Sequence, residues 1–265
     1  MRTQLKCRNK KRLILLKAKR RHLRHLRNMP EDHDHSPEDI KARLAPGKAA
    51  GFLRDAVYGG IDGAVTTLAI VAGVAGAGLP NSVIVVLGCA NILADGFSMA
   101  AGNFAGTKAD IDDRKRIIAV EERHIRKFPD GEKAELREIL LQRGLTGTIL
   151  ESAVAEIASQ KQKWIDIMLT EEYGLPRDPP NPWRLAFVTF FAFILAGSVP
   201  LAPFLLSLQQ PFEISVGATL ATFFAIGAIK SRWSLSPWWR SGLETLLIGS
   251  IAALVAYVVG LAFQI

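Results

Sequence analysis

Two aspartates stand where a carboxylate is costly to keep. Asp62 is the single charge of the apolar stretch Ala56–Ala77, and Asp95 is the single charge of Ser82–Thr107. A charged side chain at the middle of a bilayer costs about 2.5–3.5 kcal/mol, so an acid at that depth marks a site or a pathway, unless a neighbouring helix satisfies it. Neither stretch contains Lys or Arg, which leaves a cation as the natural partner. Asn91, Asp95 and Met99 follow one another at i, i+4 and i+8, so an amide, a carboxylate and a thioether share one helical face. A thioether suits a soft or borderline transition metal, whereas calcium and magnesium call for oxygen alone.

A second group of candidate ligands lies in the polar stretch 108–184. Glu121 and His124 are i, i+3, Glu132 and Glu135 are i, i+3, and Met168 and Glu172 are i, i+4. Each pair would present both side chains on one helix face. A Glu-x-x-His pair beside glutamates from other helices is the ligand style of carboxylate metal bundles. Each pair also reads as an ordinary solvated face. Met168 is the discriminating member, since an apolar residue beside Glu171 and Glu172 must point to core or to metal.

The elements that would carry these residues follow from hydropathy. Besides the two Asp-containing stretches, Leu185–Ser207, Ile214–Ile229 and Thr245–Ile265 are uncharged. A span needs about 20 apolar residues, and Ile214–Ile229 reaches that only with Pro211–Glu213 included. Continuous apolarity without an amphipathic stripe argues against soluble surface helices. The expectation is an all-α integral membrane protein with five transmembrane helices and a helical insert between the second and third. Within the insert, Ala109–Lys127 continues span two, and helices follow at Gly131–Gln142, Thr148–Ser159 and Gln162–Tyr173, with Gly174 as a C-cap. Gly59/Gly63 and Gly102/Gly106 are GxxxG pairs that permit close helix packing.

The chain has 265 residues, 49% hydrophobic, with a formal net charge of +8. That apolar fraction excludes a disordered chain. Cys7 and Cys89 are too few and too far apart for a disulfide scaffold or a CxxC site. Twelve of the 33 Lys and Arg fall between Arg2 and Arg27, in a serine-free arm that reads as disordered, with a mitochondrial-type presequence as the alternative. Met29 is a second candidate start, and Glu31–His35 reads as a solvated linker or a weak metal contact. Fourteen further Lys and Arg lie in 108–184, and Lys230, Arg232 and Arg240 lie between spans four and five. All basic segments therefore fall on one side. The N-terminus and the insert are expected to be cytoplasmic and the C-terminus outside, with Trp183, Trp233, Trp238 and Trp239 at the cytoplasmic boundary. Topology accounts for the positive charge, and no nucleic-acid partner is needed. The expected regions are 1–49 (arm and linker), 50–107 (spans one and two), 108–184 (insert) and 185–265 (spans three to five).

These residues carry a family resemblance. Arg54 to Thr67, with the core Tyr58-Gly59-Gly60-Ile61-Asp62-Gly63, resembles the first-span signature of the vacuolar iron transporter family, and Leu93 to Gly102 resembles its second span. Phe128 to Glu132, Arg143 to Gly147 and Trp164 to Leu175 are similar to that family's cytoplasmic metal-binding domain. The resemblance covers roughly residues 50–265. It implies a homodimer of five-span subunits that moves ferrous iron, and sometimes manganese, out of the cytoplasm in exchange for protons. It implies Asp62 and Met99 as translocation residues and Glu121, Glu132, Glu135, Met168 and Glu172 as metal ligands. Two positions depart from the pattern. A family glutamate falls on Asn91, for which Asp95 one turn away is the candidate substitute, and another falls on His124, which still ligates when neutral.

The expectation is a non-enzymatic metal–proton exchanger with no cofactor, moving Fe²⁺ or alternatively Mn²⁺, Co²⁺ or Zn²⁺. Its partners are the metal, protons, the bilayer and a second copy of the chain, in a bacterial plasma membrane or a vacuolar membrane. A membrane-tethered metal sensor or buffer and a ferroxidase-type enzyme are the rivals.

Overall fold

The computed structural model describes residues 36–44 and 52–263. Most of the basic arm, Met29 and the Glu31–His35 patch lie outside the described residues. The chain divides into two units, 1–48 and 49–265. In the first, helix α1 (Pro37–Leu44) begins after Ser36, whose Oγ accepts from the Asp39 backbone N–H at 3.2 Å. A serine before the first turn satisfies a donor that the helix itself cannot.

The second unit is helical, and no strand occurs among the described residues. Its helices are α2 (Leu53–Gly76), α3 (Asn81–Lys127), α4 (Pro129–Gln142), α5 (Gly147–Ala158), α6 (Lys161–Glu171), α7 (Pro182–Leu205), α8 (Pro211–Lys230) and α9 (Trp238–Ala262). Helices α2, α3, α7, α8 and α9 are long and apolar enough to cross a membrane. The fourth of these starts at Pro211, so the residues that hydropathy left at its margin belong to it. The fifth starts at Trp238 rather than Thr245 and takes in Arg240 and Glu244. Proline opens α4, α7 and α8, where its missing N–H costs nothing.

Helix α2 touches each of the other four spanning helices and is the hub of the bundle. Its closest neighbour is α7, because Gly59 and Gly63 bring backbone against backbone. A methyl group added at either would strike the Thr189 or Phe193 carbonyl. The first GxxxG pair is thus absorbed within the chain, whereas Gly102 and Gly106 face open space with nothing within 4 Å of an added Cβ. Apolar clusters then fill the bundle, one around Val71, Ile84 and Leu201 and one around Leu68 and Phe223.

Helix α3 has 47 residues. At about 1.5 Å per residue it is roughly 70 Å long, more than twice the ~30 Å hydrocarbon core. Its second half therefore leaves the apolar region and carries Glu121 and His124 with it. Helices α4 to α6 pack there around Leu136, Leu150, Val154 and Trp164, with Ile117 of α3 against Ile165 and Leu169. The end of α6 is set by Gly174, whose φ of 65° suits glycine, and the Leu175 N–H bonds the Leu169 carbonyl at 2.9 Å. Glu172 and Tyr173 close the last turn of α6, their N–H groups bonding the Met168 carbonyl at 2.9 and 3.4 Å, and the Gly174 turn returns Leu175 to pack with Ile117.

Candidate metal centre and membrane pathway

In the insert, four of the candidate carboxylates interact. Glu121 of α3 is 1% exposed and Glu132 of α4 is 5% exposed. The Tyr173 hydroxyl donates to Glu121 Oε1 at 2.8 Å, and His124 Nδ1 lies 3.3 Å from Glu132 Oε1. The second oxygen of each acid, Glu121 Oε2 and Glu132 Oε2, is buried and meets no other donor, although the two carboxyls bond each other when Glu132 is protonated. An unpartnered buried carboxylate oxygen is costly, which makes both atoms open positions for a cation. Burial foremost, and then the neighbouring Glu121, Glu135 and Glu172 charges, push the Glu132 carboxyl up to about 7. Glu172 is also raised, by burial and by Glu121 and Glu135, against a lowering from the Tyr173 hydrogen bond and His124. Burial and the bond to Glu121 raise the Tyr173 phenol.

The surrounding acids are treated differently. Glu122 pairs with Lys161 at 2.9 Å, Glu171 pairs with Arg143, and Glu151 pairs with Arg137 at 2.8 Å. Among the described residues no Lys or Arg lies within ion-pair distance of Glu121, Glu132, Glu135 or Glu172. In the adjacent pairs Glu121–Glu122 and Glu171–Glu172, one acid is neutralised and the other left to the cluster. The cluster is open: among the described residues no three His, Cys, Asp or Glu side chains close on one point as a finished cage would. Glu135 and Glu172 lie on its exposed rim. Met168 is 0% exposed and packs with Leu136, Leu150, Val154 and Trp164, so core is where its side chain is found.

In the membrane, α2 and α3 run antiparallel and meet at polar rungs. Asp62 and Asp95, both half-buried, are near enough for their charges to interact. Asn91 Nδ2 donates to Thr66 Oγ1 at 3.3 Å, and Thr66 Oγ1 donates to the Asp62 carbonyl at 2.9 Å. At the other end Asn103 Nδ2 donates to Asp55 Oδ1 at 2.9 Å and to Thr189 Oγ1 at 2.7 Å, joining α2, α3 and α7. Asn103 and Thr107 extend the i, i+4 series of Asn91, Asp95 and Met99 by two further steps, a signal that spacing alone carried. Asp62 also lines a cavity of about 560 Å³ with Arg54, Tyr58, Ile61, Val65 and Lys230. Asn91, Asp95 and Met99 are not among its lining residues. Lys230 ends α8 and puts a cation beside the cavity that the apolar stretches themselves lacked.

The comparisons extend over this whole assembly. A family model described as "VIT family" matches residues 53–261. Vacuolar iron transporter 1 of Tulipa gesneriana is 32% identical over 82% of this chain and 89% of that protein. Vacuolar iron transporter 1 of Oryza sativa subsp. japonica is 32% identical over 88% of this chain and 91% of its own length. The vacuolar iron transporter of Toxoplasma gondii is 30% identical over 82% of this chain and 76% of its own. The matched residues take in all five spanning helices and the insert between the second and third, and the chain belongs to the VIT family.

Proposed function

We propose that this protein is a transporter of divalent transition metal, with Fe²⁺ the first candidate and Mn²⁺, Co²⁺ and Zn²⁺ the alternatives, and that it exports metal from the cytoplasm in exchange for protons. Its named relatives are iron transporters, and membership of a transporter family leaves the ferroxidase reading without support. The observation that carries the proposal is the pair of buried second oxygens on Glu121 and Glu132, beside Glu135, His124 and Glu172 and with no Lys or Arg paired to them among the described residues.

In this reading the insert gathers metal from the cytoplasm. Glu121, His124, Glu132, Glu135 and Glu172 supply oxygen and nitrogen donors, and a bound cation draws the open cluster together. Met168 contributes only if its packing yields. Metal then passes to Asp62, with Asp95 and Met99 on the facing helix and Asn91 held by Thr66. A carboxylate must lose its proton to ligate, so an acid that alternates between metal and proton couples the two fluxes. The chain works as a homodimer, with Gly102 and Gly106 offering an unfilled surface for a second copy, and with the N-terminus and insert cytoplasmic.

The test is flux into proteoliposomes of the purified protein, with the insert outside and an acidic lumen, for Fe²⁺, Mn²⁺, Co²⁺ and Zn²⁺. Metal entry that alkalinises the lumen is expected. Metal bound by the protein without any entry would replace transport by the buffer reading.

A further inference from the structure

We propose that Tyr173 is a positioning residue of the insert's metal site, its phenol pinning Glu121 so that Oε2 alone is offered to the ion. The inference rests on the reading of the insert as a metal site. A glutamate carboxylate turns easily about its last torsion and can bind an ion through one oxygen, through both, or bridge two ions. Here the Tyr173 O–H fixes Oε1 at 2.8 Å, while Oε2, buried in a side chain that is 1% exposed, meets no other donor. The donor fills one acceptor and leaves the other as the single open position. The same bond keeps the Glu121 carboxylate in place before metal arrives, when crowding by neighbouring acids would otherwise drive it away.

Tyr173 reaches Glu121 across 52 positions of sequence because it closes the last turn of α6, which packs on α3. The ring does little else. It is 37% exposed, and among the described residues the insert's apolar clusters are built without it. A tyrosine kept for packing would bury its ring and let its hydroxyl find water; this one exposes part of its ring and sends its hydroxyl to the buried Glu121, with Glu172 as its second neighbour. Partners that orient a metal's ligands in this way are worth about 10–100-fold in affinity.

Full-length protein in detergent micelles is titrated with Co²⁺, whose visible bands report ligand number and geometry, for wild type, Tyr173→Phe and Glu121→Gln/Glu132→Gln. Phenylalanine keeps the ring and removes only the O–H. The expected result for Tyr173→Phe is the wild-type number of bound ions, an affinity at the insert site weaker by about 10–100-fold and altered Co²⁺ bands. Wild-type affinity with unaltered bands overturns the proposal. So does a loss of affinity with unaltered bands, which would make Tyr173 a residue of the fold alone. The double variant separates the two levels. If it loses no bound ion, the metal-site reading itself fails; if it loses one while Tyr173→Phe behaves as wild type, only the role of Tyr173 fails.

Discussion

Acids occur in the membrane bundle and in the insert, and the two regions handle them in opposite ways. In the bundle Asp55, Asp62 and Asp95 are half-buried and spread along α2 and α3, where the polar rungs are neutral: Asn103 donates to the Asp55 carboxylate and to Thr189, while Asn91 donates to Thr66 and Thr66 to the Asp62 backbone carbonyl. In the insert they are many and crowded, and the arginines and lysines pair with the acids next to the cluster rather than with those inside it. A crowded site with open oxygens suits holding an ion. A sparse series of polar rungs suits passing one along, since no rung binds so strongly that release becomes slow. In the proposed function, the division of labour is thus one of charge density.

The largest expected effect is at the sparse end. Asp62→Asn keeps the side-chain shape and removes the charge, and it is expected to abolish metal flux in proteoliposomes while metal binding by the insert persists. At the crowded end, Glu132→Gln removes a proposed ligand and is expected to weaken binding by the insert by at least the ~100-fold that losing a ligand's supporting partner can cost, as read by isothermal titration with Mn²⁺.

The third prediction concerns pH. Glu132 is raised from 4.5 to about 7, so between those values the folded protein holds a proton that the unfolded chain has released. Stability contributed by this group is therefore present at low pH and falls as pH rises through that window. The melting temperature of metal-free protein should fall more from pH 5 to pH 8 in wild type than in Glu132→Gln. Equal slopes would remove crowding as the feature that distinguishes the insert. The smallest effect belongs to the neutral rungs. Asn103→Ala deletes two hydrogen bonds among α2, α3 and α7, worth about 0.6 kcal/mol each on average in membrane bundles, and should lower the melting temperature without altering metal binding by the insert.

What could be read in advance followed the range of each signal. The five spans were visible because each is an unbroken apolar run, and the start of the last was displaced because Trp238, Trp239, Arg240 and Glu244 are interfacial or polar residues inside a helix. The i, i+4 face of Asn91, Asp95 and Met99 is local and was readable; that Asn91 would engage Thr66 needed the second helix. Lys230 was visible only as a loop charge, since its place beside the Asp62 cavity depends on how α8 packs on α2. The insert's acids could be nominated from helical spacing, but spacing treats Glu121 and Glu122 alike. Only the fold shows which one Lys161 neutralises and which one Tyr173 holds. Met168 was open to core or metal, and what the fold adds is that its side chain packs with Trp164 and Leu136.

The contrast between a gathering site and a conducting series is tested most directly by flux measured against metal concentration in proteoliposomes. Glu121→Gln/Glu132→Gln is compared with Asp62→Asn. If the insert only concentrates metal and the bundle carries it, raising external Fe²⁺ restores wild-type flux to the insert variant and leaves Asp62→Asn silent at every concentration. Recovery of Asp62→Asn at high metal, or failure of the insert variant to recover, would contradict the account.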